Sequence, residues 1–380
     1  MIIAFDAKRI VNNRTGLGQY SRTLVNDLAK AVPRDCALRL YAPDGGSEDL
    51  RRQVDDAYNV AFVYSRSRCK WYWRARGIVN DLKRDHVQLY HGLSGELPMG
   101  IRKAGIPAVV TIHDLIFMRH PEYYSAIDAR IYAWKFRRTV QEADRIIAIS
   151  ECTKRDIMEL GGVPEAKISV IYQSCNTYFK LREGEDRLQT VNARYMLPGR
   201  YIVSVGTIEE RKNIALAVKA LPLLPEDLSL VVVGRRTPYA ERVLRLARRL
   251  GVAERVRMLS GVPNNDLPAI YQMAEACVYP SRYEGFGIPV IEAIQSGLPV
   301  VACTGSCLEE AGGPDSLYVN PDDVNGMAAA VKSVLKGEPG REERIARAQA
   351  YVSRFENSNV AAQMLDIYKS CAPALFHADE

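Results

Sequence analysis

Short apolar runs alternate with helical stretches along the whole chain, and the alternation starts afresh at Tyr201. A run that is apolar throughout suits a strand buried on both faces, which is the strand of a parallel sheet. Such strands separated by helices build a sheet with helices on both sides. In the first half the strand-like runs are Ile2–Phe5, Ala37–Tyr41, Val60–Tyr64, Gln88–His91, Ala108–Ile112, Arg145–Ile149 and Ile168–Tyr172. Helices are expected over Gly18–Val32, through a basic stretch to about Arg84, over Tyr124–Ala143, and from a Ser150 cap over Cys152–Leu160. After the restart, strands are expected at Tyr201–Val205, Leu228–Val233, Val256–Leu259, Ala276–Tyr279 and Pro299–Ala302. Helices alternate with them at Asn213–Leu221, Ala240–Leu250, Leu267–Met273, Gly287–Ser296 and Gly326–Leu335.

The fold class is therefore α/β, with two doubly wound domains. At 380 residues the chain is too long for one ordinary domain and comfortable for two. Asn176–Gly199 lacks a strong apolar period and carries mixed charge, which marks it as the expected linker. Two domains of this kind facing each other are expected to make a cleft, with ligands at the carboxyl ends of the strands.

Composition narrows the partners. A net charge of +6 fits an enzyme that handles phosphates or approaches an anionic membrane, and does not demand nucleic acid. No recognised nucleic-acid motif accompanies the charge. The eight cysteines show no Cys-x-x-Cys pair and no zinc spacing, so they read as free thiols of a reducing compartment. The start Met1–Asp6 lacks the basic, longer apolar form of a signal peptide, and no run is long enough to span a bilayer. A cytoplasmic location is expected, with the inner face of the plasma membrane as the surface within reach.

The segment Glu284-Gly285-Phe286-Gly287-Ile288-Pro289-Val290-Ile291-Glu292 sits between an expected strand and an expected helix. Its glycines let backbone approach a ligand, and Pro289 suits a first helical turn. The helix start offers free N–H groups and a positive dipole end to an anion. Glu292 is placed to accept hydrogen bonds from ribose hydroxyls, and Glu284 to hold a sugar hydroxyl. The plainer alternative is a turn with two solvated acids. Upstream, Gly206-Thr207-Ile208-Glu209-Glu210-Arg211-Lys212-Asn213 follows a strand directly. One forked and one point-like cation side by side suit a diphosphate. The alternative is a solvated turn in which Arg211 and Lys212 pair with Glu209 and Glu210.

Taken together, these motifs resemble the family 4 retaining glycosyltransferases of GT-B fold. The resemblance continues through Gly16-Leu17-Gly18, Thr111-Ile112-His113-Asp114, Ile149-Ser150-Glu151, Val170-Ile171-Tyr172, Val233-Gly234, Leu259-Ser260-Gly261-Val262, Tyr279-Pro280-Ser281 and the terminal helix near Asn359–Lys369. It implies an acceptor-binding domain over 1–175, completed by a C-terminal helix at 356–372, and a nucleotide-sugar domain over 195–355. Arg211 and Lys212 then neutralise the donor diphosphate, Glu292 meets the ribose, and Glu284 meets the transferred sugar. Gly285, Phe286, Gly287 and Ile288 supply backbone to sugar and β-phosphate, with Gly206 in the same stretch as the cations. Gly234 and Val262 fall near the nucleobase. Gly16 and Gly18 let the first domain approach the phosphates, and His113 lies close to the sugar, with a satisfied structural histidine as its alternative. Retention disfavours a simple general base there.

Departure of a diphosphate builds negative charge that fixed cations and a helix dipole stabilise, so neither cofactor nor metal is expected. Asp55-Asp56 and Asp322-Asp323 lack the spacing of a metal site. Two basic, aromatic stretches without acids, Arg66–Arg76 and Arg130–Arg138, bear on the acceptor. They suit an anionic membrane or a lipid-linked glycan, unless Trp71, Trp73 and Trp134 pack in the core. His113–Phe117 with His120–Tyr124 looks like bacterial mannosyltransferases of the family. The expected reaction is hexosyl transfer, first from GDP-mannose, to a glycan or lipid-linked oligosaccharide of a surface polysaccharide. A UDP-hexose donor, a UDP-sugar epimerase of the same fold and a non-catalytic sugar-nucleotide-binding subunit are the alternatives.

Overall fold

The computed structural model describes residues 1–54, 57–356 and 359–373, so Asp55 and Asp56 lie outside the described residues. The chain divides into two compact units, Met1–Gln173 with the segment from Asn359 onward, and Ser174–Ser358.

The first unit holds a parallel sheet in the order β3-β2-β1-β4-β5-β6-β7. Its strands are β1 (Ile2–Asp6), β2 (Ala37–Ala42), β3 (Val60–Tyr64), β4 (Leu89–Gly92), β5 (Ala108–Ile112), β6 (Arg145–Ala148) and β7 (Ile168–Val170). Ile3 pairs with Leu38 on one side and Leu89 on the other. Along β1, Ile3 and Phe5 enter one apolar cluster while Ala4 enters the opposite one. Both faces of the sheet are thus covered, which is why its strands are largely apolar.

Helix Val360–Cys371 belongs to this unit. It buries Ala361, Met364, Leu365 and Tyr368, residues spaced by three and four, in the cluster of Leu24, Leu28 and Phe5. The neighbouring helix, Gly16–Ala31, packs against it. The helix expected from Gly18 begins two residues earlier, so Gly16, expected in the preceding loop, shares its first turn with Gly18. Asn13 accepts from the amides of Thr15 and Gly18 through Oδ1, at 2.8 and 3.1 Å, and so closes the turn. A Cβ at Gly18 would stand 1.9 Å from the Asn13 carbonyl oxygen, so the glycine is a packing requirement.

The basic stretch runs as helix Lys70–Tyr72, a π turn Trp73–Gly77 and helix Ile78–Arg84. Trp73 is buried there and donates Nε1–H to Asp81 at 2.6 Å. Ser150 caps helix Glu151–Gly161 by accepting from the Thr153 amide at 2.9 Å.

The second unit holds a parallel sheet in the order β10-β9-β8-β11-β12-β13. Its strands are β8 (Tyr201–Val205), β9 (Ser229–Val233), β10 (Val256–Leu259), β11 (Ala276–Tyr279), β12 (Val300–Cys303) and β13 (Leu317–Val319). Ile202, Leu230, Val232, Val278 and Val301 pack one face against Leu216, Val243, Met327 and Val331 from its helices.

The expected linker is part of this unit, which begins at Ser174 rather than at 195. Asn176–Gly199 contains the turn Thr177–Lys180 and helix Glu185–Tyr195. That helix buries only Val191, so no apolar period marks it. Polar contacts hold it instead: Arg187, Arg194 and Tyr195 converge on the buried Asp266 at 2.5, 2.8 and 2.6 Å. Helix Arg341–Glu356 and strand β13 were likewise not foreseen.

Candidate functional site

Strand order reverses between β8 and β11 in the second unit, so the connections leaving their carboxyl ends diverge and open a crevice. The two motifs singled out from sequence lie on those two connections. The chain leaves β8 through Gly206 at φ 147°, makes a single 3-10 turn over Glu210–Lys212 and enters helix Ile214–Ala220 through Asn213, a left-handed residue at φ 53°. From β11 it loops to helix Ile288–Gln295.

Glu284 ties the two connections together. Its carboxylate, 9% exposed, meets Lys212 Nζ at 2.6 Å on Oε1 and Arg211 Nη1 at 2.7 Å on Oε2. Burial alone would raise its pKa, but the charges of Lys212 and Arg211 hold it down at about 2. Arg211 also donates to the Tyr283 carbonyl at 2.6 Å and reaches Glu209 at 2.8 Å. Lys212 donates to the Tyr279 hydroxyl at 2.6 Å. Two cations face one buried carboxylate and the partly exposed Glu209. Removing one member of such a buried set strands its partner, at a cost of about 3–5 kcal/mol.

The surrounding backbone is shaped to hold this cluster. The stem of Lys212 passes 3.5 Å from where a Gly206 Cβ would sit. Gly287, at φ 118°, caps helix Ile288–Gln295, and a Cβ there would come within 2.9 Å of Leu308. The Cys307 sulfur lies 3.1 Å from the Glu284 carbonyl oxygen and 2.8 Å from that of Phe286, so its single S–H is shared between them and ties down the loop. Phe286 sends its ring into the core against Phe355, at 5.3 Å between centroids. Gly285 and Ile288 stay partly exposed beside it.

Glu292 lies one turn into the helix and accepts from the Tyr271 hydroxyl at 3.2 Å. Burial pushes its carboxyl up to about 7, with the Tyr271 hydrogen bond opposing. Gly234, expected near a nucleobase, has a plainer necessity, since a Cβ there would stand 1.8 Å from the Gly206 carbonyl oxygen. Val262 is partly exposed on the loop after β10. The structure thus brings Gly206, Arg211, Lys212, Gly234 and Glu284–Ile288 together, with Glu292 a turn deeper.

In the first unit His113 follows β5 directly. Its Nε2 lies 2.9 Å from the Leu93 carbonyl oxygen, which obliges that nitrogen to donate, and Nδ1 then accepts from the Gln173 amide at 3.0 Å. Burial lowers its pKa to about 4, so the ring is neutral at ordinary pH. Tyr20, from the helix that starts at Gly16, packs edge-on against it at 4.9 Å. Behind Tyr20 runs a buried polar chain. The Tyr20 hydroxyl meets Thr111 at 3.2 Å, Thr111 meets His91 Nε2 at 2.9 Å, and His91 Nδ1 meets the Tyr368 hydroxyl at 2.7 Å. Burial lowers the His91 pKa to about 3.

Sequence reasoning missed Tyr279, Tyr20, His91 and Tyr368 as members of these sites. Tyr279 was findable, since it closes a strand whose carboxyl end was already marked. The other three are joined only by the fold.

Two doubly wound parallel sheets, one carrying a cation pair and a glycine-opened helix start at its switch point, define a GT-B glycosyltransferase. Residues 14–178 match the model of Glycosyltransferase Family 4, and residues 197–351 that of Glycosyl transferases group 1. The chain is 30% identical to O-antigen chain mannosyltransferase B of Escherichia coli over 97% of its length and 100% of the relative's. It is 30% identical to the O-antigen chain mannosyltransferase RfbU of Salmonella typhimurium, over 93% of this chain and 95% of that one. In fold it resembles Anabaena Alr3699/HepE, solved with UDP and glucose, at a TM-score of 0.75 and 17% identity, covering 97% of this chain and 100% of the other. The chain belongs to the family 4 glycosyltransferases and is a hexosyltransferase of polysaccharide biosynthesis.

Proposed function

We propose that the chain transfers mannose with retention from GDP-mannose to a glycan or lipid-linked oligosaccharide during assembly of a surface polysaccharide, working at an anionic membrane surface. The observation that carries this is the Arg211–Lys212–Glu284 cluster at the switch point of the second unit, beside the start of helix Ile288–Gln295. The two mannosyltransferases similar over nearly the whole chain support the choice of sugar.

In this reading the donor diphosphate competes with Glu284 for the two cations. As the glycosyl–phosphate bond breaks, charge grows on the departing oxygens, and Arg211, Lys212 and the helix start are already aimed there. These groups do the work that a divalent ion does elsewhere, so the reaction proceeds without metal or cofactor. Glu284, released by the phosphates, turns to a sugar hydroxyl, and Glu292 accepts from the ribose hydroxyls. Gly234 and Val262 border the base. His113 serves as a fixed neutral group, because both its ring nitrogens are engaged and it has no proton-accepting site to spare. Gly16 and Gly18 keep the start of their helix low enough for phosphate to approach.

The test is a thermal-shift panel of nucleotide sugars followed by transfer assays. A donor at 100 times its Kd stabilises by about 2.7 kcal/mol. GDP-mannose is expected to shift the wild type and not Lys212→Ala, and Lys212→Ala is expected to lose roughly 10²–10³ in kcat. A shift with UDP-hexoses but none with GDP-mannose sinks the donor. Full transfer by Lys212→Ala sinks the site, and epimerisation of the donor without any transfer sinks the reaction.

A further inference from the structure

Helix Ala126–Glu142 in the first unit buries Ala129, Phe136 and Thr139 on one face. The opposite face of such a helix in a protein bathed by water is normally polar. Here that face carries Ile127, Ile131 and Trp134, spaced by four and three, which are 71%, 45% and 53% exposed. Arg130, Arg137 and Arg138 flank them. A contiguous apolar stripe left in solvent marks a surface with a partner.

A second feature neighbours it. Tyr72, Arg76, Lys83, Met99 and Lys103 line a hollow of about 320 Å³ between helix Ile78–Arg84 and the segment around residue 100, and no carboxylate lines it. Trp71, beside its rim, is 76% exposed. The two features are sewn to one strip of chain. The Met99 amide donates to the Ala75 carbonyl at 2.8 Å, while the amides of Gly100 and Arg102 donate to Glu142 at 2.8 and 3.1 Å. Glu96 holds Arg74 on one side and Lys135 on the other. Glu96 and Glu142 are thereby consumed internally, and Asp81 is taken up by Arg84 and Trp73. Asp128, exposed beside Ile127, accepts from the Ser125 hydroxyl at 2.7 Å, and the remaining charge on the stripe and around the hollow is cationic.

Charge complementarity selects the partner. We propose that this surface of the first unit seats an anionic bilayer, with a lipid phosphate in the hollow among Arg76, Lys83 and Lys103, and with Trp71, Trp134, Ile127 and Ile131 in the headgroup layer. Amphipathic aromatic rings settle at that depth, and cations near the surface are drawn by its negative potential. The inference deepens the reading that the acceptor is carried at a membrane, and it names the residues that bring the chain there.

The test uses the full chain and vesicles of phosphatidylcholine with or without one quarter phosphatidylglycerol, read by flotation. Wild type is expected to float with the anionic vesicles only, and less as salt rises. Each cation is expected to contribute roughly fivefold, so Arg76→Gln with Lys83→Gln and Lys103→Gln should weaken binding on the order of a hundredfold. Trp71→Ala with Trp134→Ala should weaken it independently of salt. Both variants should keep the thermal shift with nucleotide sugar, since none of these residues belongs to the donor site. Loss of vesicle binding with that shift intact supports the surface. Equal binding of neutral vesicles, unchanged binding by both variants, or stabilisation by millimolar inorganic phosphate without any vesicle binding overturns it. A wild type that floats but transfers no sugar would leave the surface standing and bring down the functional reading instead.

Discussion

Glu292 titrates where most enzymes work. Its folded pKa of about 7 lies above the ordinary 4.5, so the folded unit holds a proton that the unfolded chain releases. The stability tied to that proton is fully present below pH 4.5 and is lost as pH rises through 7. By pH 8 the loss amounts to about 3 kcal/mol on the linkage scale. Glu292→Gln keeps the shape and cannot ionise. It is expected to flatten the decline in thermal midpoint between pH 5.5 and 8 and to exceed the wild type at the upper end. Parallel curves for the two proteins would show that Glu292 carries no such charge. The cations tell a complementary story. Sequence alone marked Arg211 and Lys212 as a pair fit for phosphates, and offered Glu209 and Glu210 as the competing partners. Arg211 does take Glu209, but Glu210 turns to Arg242 at 3.4 Å, and Glu284, distant along the chain, holds both cations. Adjacency in sequence was visible, while the convergence of two connections was not.

Among the elements, the C-terminal helix Val360–Cys371 is held by a polar contact as well as an apolar face. Tyr368→Phe removes the hydroxyl that satisfies His91 Nδ1 in a site without water-exposed alternatives. Leaving that nitrogen unpaired is expected to cost about 1–3 kcal/mol. Thermal unfolding should register the loss, and amide exchange in helix Gly16–Ala31 should quicken with it. Unaltered stability and exchange would mean that the hydroxyl is incidental. Apart from β13, the strands of both sheets were legible because burial on two faces leaves a mostly apolar run, as in β5 and β9. Helix Glu185–Tyr195 was not, since Asp266 holds it by charge and only Val191 enters the core. Gly16, Gly18 and Gly234 were read as openings for a ligand. Their neighbours show that close approach of the protein's own backbone already demands glycine at 18 and 234. The tryptophans could not be sorted by type: Trp73 is buried, Trp71 and Trp134 are exposed, and only the π turn and the helix face decide which is which.

On the scale of the molecule, each unit has its own core, but the first is finished by residues from the far end of the chain. Ending the chain after residue 356 uncovers Leu24, Leu28 and Phe5 where Met364, Leu365 and Tyr368 had covered them. Such a truncation is expected to unfold the first unit and spare the second, so that limited proteolysis leaves a resistant fragment near 174–356. A truncated chain in which both units resist digestion equally would contradict this division of the core.

The same connectivity imposes an order on synthesis. The first sheet leaves the ribosome before the second, yet the helix that closes one of its faces arrives only after all of the second unit has been made. At about 5–20 residues per second, the roughly 185 intervening residues take about 9–37 seconds. For that interval the older half of the nascent polypeptide presents an open apolar groove while the younger half is already free to mature, which makes the groove the natural point of engagement for chaperones.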